Sequence, residues 1–128
     1  MATTSNPKVI VRELEVFSSN EIRKLILDIV DTLIETTPVD TGWARANWVP
    51  SIGQSVEGPF GDDQDVGTAE FAQSAGVAEM LGYDINKGPA FVTNSVPYIE
   101  RLNQGSSTQA PSGFVETAID SALARAGR

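Results

Sequence analysis

Seventeen acidic side chains, together with a complete lack of histidine and cysteine, limit the chemistry open to this 128-residue chain. The densest group of carboxylates is Asp62, Asp63 and Asp65, and oxygen ligands at alternating positions are typical of calcium-binding loops. Such a loop needs a glutamate at its end to complete the coordination shell, and Glu70 follows too early for that role. We therefore interpret the cluster as a solvated loop without a metal ion, and keep a calcium-binding or carboxylate-based hydrolytic module as an alternative.

Catalytic motifs built on other residue types are missing from the sequence. Without histidine or cysteine the chain has no Ser–His or Cys–His pair, no disulfide and no zinc–thiolate site. It also lacks the GxSxG signature of serine nucleophiles and the GxGxxG loop that binds phosphates. The sequence thus predicts a protein that is not an enzyme and that binds no cofactor.

The most unusual segment is TPVDTGWARANW at residues 37–48, which directly follows a helical pattern. Pro38 prevents the helix from continuing and favours extended geometry in the residue before it. The Asp40 carboxylate is suited to accept hydrogen bonds from nearby backbone N–H groups, and Gly42 allows a positive φ. This segment therefore predicts a sharp turn at the end of a helix.

Both tryptophans of the chain, Trp43 and Trp48, flank Arg45 directly after this turn. Tryptophan and arginine are enriched among the residues that dominate binding at protein interfaces, so these side chains are candidates for an interaction surface. The alternative is internal: a salt bridge from Arg45 to Asp40 and a cation–π contact would lock the turn. If the turn holds the corner between helix and sheet, Trp48 belongs to the core and Trp43 to the interface.

A strongly amphipathic helix must position this turn. Ser18 and Glu21 have the spacing of a capping box at its start. The apolar residues that follow recur at i, i+3 and i+4 and predict one buried helix face. They are Ile22, Leu25, Ile26, Ile29, Val30, Leu33 and Ile34.

Shorter elements complete an α+β fold. The pattern predicts strands at residues 46–52 and 90–94 and an alanine-rich middle helix at residues 68–81 that stops at Gly82. Ser112 is the predicted N-cap of a last helix. The apolar residues of these two helices are Ala69, Phe71, Ala72, Ala75, Ala78 and Leu81, then Val115, Ala118, Ile119, Ala122, Leu123 and Ala126. We expect a small, mainly antiparallel sheet packed by the N-terminal, middle and C-terminal helices.

Length and charge define the broad class of the protein. We expect one domain at residues 18–128, preceded by a flexible arm or short strand at residues 1–17. The net charge of −8 and the pI near 4.3 argue against specific binding to nucleic acid or to anionic lipid. No apolar run approaches the ~20 residues that span a bilayer, and the N-terminus lacks a secretory pattern. We therefore expect a protein that stays in the cell that makes it, without a membrane partner.

A second motif lies toward the C-terminus. An asparagine that ends a strand is followed by Pro–Tyr, an acidic residue, Gly–Ser, Gln–Ala–Pro and a glycine before the last helix, in the order Asn94, Pro97, Tyr98, Glu100, Gly105, Ser106, Gln109, Ala110, Pro111 and Gly113. With TPVDTG, this order resembles the signatures of a tail-component family of long-tailed double-stranded-DNA phages: minor tail protein Z-like, tail-completion and neck proteins. Trp43 departs from the family, which commonly has arginine or a similar residue after the glycine.

The resemblance implies a structural protein of the virion tail or neck, made in the host cytoplasm. It implies a homo-oligomeric ring, with six copies expected, that contacts neck and tail-terminator or tail-tube proteins around the DNA channel. A net charge of −8 per subunit agrees with such a channel, because DNA would pass without adhering. An assembly chaperone or adaptor that forms no ring is the main alternative.

Two sets of site residues follow from the motifs and the resemblance. The candidate interface residues are Trp43, Arg45, Trp48, Tyr98 and Pro111. The residues expected to shape the turns are Pro38, Asp40, Gly42, Asn94, Pro97, Gly105 and Gly113.

Overall fold

The computed structural model describes residues 17–38, 42–105 and 110–127. Within these ranges it contains five α-helices, one 3-10 turn and two strands of one antiparallel sheet, which confirms the predicted α+β fold. The elements in chain order are α1 (Ser19–Thr36), α2 (Trp43–Ala46), β1 (Val49–Ile52), α3 (Val66–Met80), the 3-10 turn (Ile85–Lys87), β2 (Ala90–Thr93), α4 (Ile99–Asn103) and α5 (Phe114–Arg125). The arm or short strand predicted at residues 1–17 lies outside the described residues, except for Phe17.

Helix α1 begins with the predicted capping box. The Glu21 backbone N–H donates to Ser18 Oγ at 3.2 Å, and the Ser18 backbone N–H donates to Glu21 Oε1 at 3.0 Å. Two backbone donors that the helix itself cannot satisfy thereby gain partners. The helix ends at Thr36, and Thr37 takes up extended geometry before Pro38, as the proline requires.

The hydrophobic core is built around α1, which packs along α5 and contacts both strands, α2 and α3. The predicted stripe of α1 is buried except for Ile34, which is partly buried. The predicted stripe of α5 is buried except for Ala126, which is exposed. Because each fully buried large apolar side chain contributes about 1.5–3 kcal/mol, this helix pair supplies much of the stability of the domain.

Strand β1 begins at Val49, three residues later than predicted, because Trp43–Ala46 form the short helix α2. Gly42 is the N-cap of that helix, and its φ of +82° redirects the chain so that the helix can begin at Trp43. Two of the four helical residues are alanine, which has the highest helix propensity of any residue. The strand prediction for residues 46–48 was therefore wrong.

Pro50 lies inside β1, opposite Val92. The Gly53 backbone N–H donates to the Pro89 carbonyl oxygen at 2.8 Å, which fixes the alternation of hydrogen-bonded pairs along the sheet. By that alternation Ser51 faces β2 with its hydrogen-bonding groups and Pro50 does not. The missing N–H of the proline therefore costs the sheet no hydrogen bond.

Helix α3 starts two residues earlier than predicted because Asp65 is its N-cap. The Asp65 carboxylate accepts hydrogen bonds from the Thr68 backbone N–H at 3.3 Å and from Thr68 Oγ1 at 2.6 Å. The helix ends at Met80, and Gly82 follows close behind it, at the predicted stop.

Gly76 allows α3 to pack closely on β1. A Cβ atom at this position would lie 2.5 Å from the Pro50 carbonyl oxygen and 3.1 Å from Val49 Cγ1. The first of these distances is too short for any real Cβ contact, so the approach of helix to strand requires glycine here.

Candidate interaction surface

Thr37 organises the corner at which α1 ends. Its hydroxyl donates to the Leu33 carbonyl oxygen at 2.5 Å and accepts a hydrogen bond from Trp48 Nε1 at 2.8 Å. Its own carbonyl oxygen accepts a hydrogen bond from Arg45 Nη2 at 3.1 Å. The residue that ends the helix thus holds both a tryptophan and the arginine of the predicted interface. Pro38 next to it is buried.

Trp48 lies in the core, with none of its surface exposed. Its ring N–H already donates to Thr37. In the single chain the side chain therefore has no exposed surface and no free polar group with which to bind a partner. The interface assignment of Trp48 therefore gives way to the core alternative.

Arg45 is partly buried, and its backbone carbonyl oxygen accepts a hydrogen bond from Gln73 Nε2 of α3 at 3.1 Å. The same Gln73 nitrogen donates to the Trp48 carbonyl oxygen at 3.0 Å. The predicted salt bridge to Asp40 lies outside the described residues, as does the turn-shaping role of that aspartate. Among the described residues Arg45 is held internally through Thr37 and Gln73.

Trp43 is partly buried and is fixed by the loop that precedes α3. Its Nε1 donates to the Phe60 carbonyl oxygen at 2.9 Å. Asn47 ties the same two segments together, because its Nδ2 donates to the Trp43 carbonyl oxygen and its Oδ1 accepts from the Phe60 backbone N–H. Both tryptophan N–H groups of the chain therefore donate within it.

Asn94 joins the first motif to the second. Its Nδ2 donates to the Ala44 carbonyl oxygen at 2.8 Å, and its Oδ1 accepts from the Val96 backbone N–H at 3.1 Å. The side chain is fully buried. One amide thus closes the turn after β2 and anchors that turn to α2.

The aromatic rings of the two motifs also meet. The ring centroids of Trp43 and Tyr98 lie 6.0 Å apart with an interplanar angle of 62°, an edge-to-face arrangement. Both side chains are partly exposed, and Pro97 beside them is exposed. Trp43, Pro97 and Tyr98 therefore form one small aromatic patch, which we call the motif patch.

The last helix begins differently from the prediction. Its N-cap is Gly113, with a φ of +77°, and not Ser112. Asn103 of α4 caps it from outside the helix: its Oδ1 accepts from the Val115 backbone N–H at 2.9 Å, and its Nδ2 donates to Glu116 Oε1 at 2.8 Å. A local cap rule selects Ser112 because it cannot see a cap supplied from another helix.

Gly105 follows α4 with a φ of +97°, and a Cβ there would lie 3.3 Å from the Ser112 Cβ. Ser106 and Gln109 of the second motif lie outside the described residues. Pro111 is exposed on the segment before α5, and no hydrogen bond or ring contact recorded among the described residues joins it to the motif patch. Of the predicted interface residues, the structure therefore brings Trp43 and Tyr98 into contact.

The acidic loop uses its carboxylates for local structure. Asp62 Oδ1 accepts from the Gln64 backbone N–H at 2.8 Å, and Asp65 caps α3. Within the described residues no three acidic side chains converge in a way that would hold a metal ion. In the same part of the chain no helix is long and apolar enough to cross a membrane.

Sequence reasoning missed the buried or partly buried amides Asn47, Gln73 and Asn103. Each bonds groups at least 12 positions away, so no local spacing marks it. No protein-family model, curated protein or solved structure matches this chain.

Proposed function

We propose that this chain is a structural subunit of the head–tail connection of a long-tailed double-stranded-DNA phage. In this role it completes the tail or joins it to the head, as one copy in a ring around the DNA channel. The observation that carries the proposal is the hydrogen bond from Asn94 to the Ala44 carbonyl oxygen, across 50 positions of sequence. The two motifs that resemble the family signatures thereby belong to one folded unit.

The motif patch supports a role in binding a neighbouring protein. Internal contacts hold Trp43 and Tyr98 in place while part of each ring is exposed. Binding a partner would therefore cost little further side-chain entropy. Rigid aromatic side chains of this kind are typical of binding hot spots. We assign this patch to the contact with a neck, tail-terminator or tail-tube protein.

Charge supports the position next to DNA. Each copy carries a net charge of −8, and a ring of such copies would repel a phosphate backbone instead of binding it. The loop at residues 61–65 carries three exposed aspartates and no cation, which fits a surface that DNA passes.

Electron cryo-microscopy of particles from the phage that encodes this chain tests the proposal. We expect a closed ring of copies around the DNA path at the head–tail junction, and the chain among the proteins of the purified particles. If the chain is needed for assembly and is absent from mature particles, it is a chaperone and the proposal is wrong.

The motif patch is tested by a Trp43→Ala/Tyr98→Ala double variant in a complementation assay. We expect heads and tails to accumulate unjoined, whereas Asn86→Ala, an exposed control, restores joined particles. The folded state of each variant is first checked by circular dichroism, because Trp43 also bonds the Phe60 carbonyl oxygen. Normal joining by a folded double variant would refute the assignment of the patch.

A further inference from the structure

The side of α3 that faces away from β1 is apolar and exposed. Phe71 is 77% exposed and Leu81, just past the end of the helix, is 61% exposed, with the exposed Ala75 and Ala78 between them. Phe71, Ala75 and Ala78 follow the i, i+4, i+7 spacing of one helix face. We call these four residues the outer face of α3. The exposed Ser74 lies on the same side of the helix, between Ala78 and Leu81 in projection. An exposed group of apolar side chains of this kind marks an interaction site more often than a single exposed residue does.

The flanks of the outer face are acidic. On a helical projection Glu70 lies on one side of the Phe71–Ala78 stripe and Glu79 on the other, and both side chains are exposed. A partner surface must therefore combine an apolar depression with positive charge at its rim.

The same chain carries such a depression between α1 and α5. This groove has a volume of about 210 Å³ and contains Leu25 and Ala122 among its apolar residues. A cavity of roughly 150 Å³ is enough to bind benzene, so the groove has room for a phenyl ring. Its size thus matches the Phe71 side chain.

The rim of this groove carries a cation on each wall. Lys24 is exposed on α1, and Arg125 on α5 makes a double hydrogen bond to Asp28 at 2.9 Å. The carboxylates Glu21 and Asp28 also line the groove, so its lining has no net charge. Arg125 neutralises Asp28, which leaves Lys24 as the cation that can meet a carboxylate of the incoming helix.

A second groove, between α1 and α3, suits the outer face less well. It is larger, at about 400 Å³, and apolar at its base, but the charged residues that line it are Asp28 and Asp31. Because Asp28 is paired with Arg125, docking there would bring Glu70 or Glu79 toward Asp31 with no cation in the lining, which is unfavourable.

We propose that the outer face of α3 in one copy docks into the α1–α5 groove of the next copy, with Phe71 in the groove. The two surfaces differ, so the contact is heterologous, and repetition of a heterologous contact closes into a ring when its rotation permits. The proposal rests on the proposed function for the existence of the ring and adds the surfaces that join its copies.

Cysteine crosslinking tests the contact directly, because the natural chain has no cysteine. Ala75→Cys on the outer face and Ala126→Cys at the groove are prepared separately, mixed, and treated with a short bis-maleimide. We expect a crosslinked pair containing one of each variant, in roughly tenfold or greater excess over the control, because docking raises the local thiol concentration to the millimolar range. The control replaces Ala126→Cys with Thr117→Cys, which is exposed on the opposite side of α5.

The other outcomes overturn the proposal. Crosslinking of Ala75→Cys with itself would mean that two α3 helices face each other, and a lack of any crosslink would mean that something else covers the groove. Either result, if the protein still assembles by molar mass or forms a ring in particles, refutes the chosen surfaces alone. A chain that is absent from particles refutes the proposed function instead.

Discussion

The corner at residues 37–48 and helix α3 differ in how far their aromatic side chains are exposed to solvent. In the corner Trp48 is completely buried and both tryptophan N–H groups donate within the chain. In α3, Phe71 projects 77% exposed from a helix whose inner side is pressed against β1. Residue type alone therefore does not locate a contact surface. What separates the two regions is whether the polar and apolar atoms already have partners inside the chain.

The largest expected effect sets Trp48 against Phe71. Trp48→Ala should lower the free energy of unfolding by about 3–5 kcal/mol, because it leaves a cavity in the core and removes the hydrogen bond that the Thr37 hydroxyl accepts. Phe71→Ala should change it by no more than about 0.5 kcal/mol in the monomer, because the ring is exposed. Urea unfolding at low protein concentration measures both. Similar losses for the two variants would break the comparison.

The next effect separates the inner side of α3 from its outer side. Gly76→Ala should lower the free energy of unfolding by about 1–3 kcal/mol, because the new methyl group meets the Pro50 carbonyl oxygen. Gly67→Ala is the matched control in the same helix, since the nearest atom to its Cβ is 4.0 Å away. Alanine there should stabilise the helix by up to about 1 kcal/mol. Thermal unfolding of both proteins would show opposite shifts, and a stabilised Gly76→Ala would disprove the close packing.

A third variant tests how firmly the corner is tied to the second motif. Asn94→Ala should lower the free energy of unfolding by about 1–3 kcal/mol, because the Ala44 carbonyl oxygen and the Val96 N–H lose the buried Asn94 amide as a partner. Asn86→Ala, at an exposed asparagine, should have little effect. Equal stability of the two variants in denaturant unfolding would mean that the buried amide does not hold the motifs together.

The smallest expected effect is a dependence of the free energy of unfolding on pH, caused by Tyr83 next to the start of α1. Burial, and to a smaller extent the negative charge of Asp84, raises the pKa of Tyr83 above its usual value near 10. The unfolded chain then loses this proton at a lower pH than the folded protein, so the stabilisation is complete below about pH 10 and falls as pH rises further. Tyr83→Phe should therefore flatten the decline in stability above pH 10. An unchanged slope in alkaline urea titrations would contradict this.

Local patterns predicted much of the fold. The capping box and apolar stripe of α1 depend on residues three and four positions apart, and the structure contains both. Ser112 failed as a cap because Asn103 supplies the cap from α4. The exposure of Phe71 was also beyond local reasoning, because the apolar residues of α3 are spread around the helix and their pattern does not tell the inner side from the outer. The cap of the last helix and the exposed side of α3 depend on contacts with residues distant in sequence, which local spacing does not indicate.

We propose that the corner at residues 37–48 maintains the fold and that the outer face of α3 joins the copies. The most direct test is the molar mass of the wild-type chain and of Phe71→Ser by light scattering, each checked for native circular dichroism. We expect the wild type to reach a multiple of 13.6 kDa and Phe71→Ser to weaken self-association by roughly tenfold to a hundredfold, down to the monomer mass at matched concentration. Equal masses for the two folded proteins would contradict the claim.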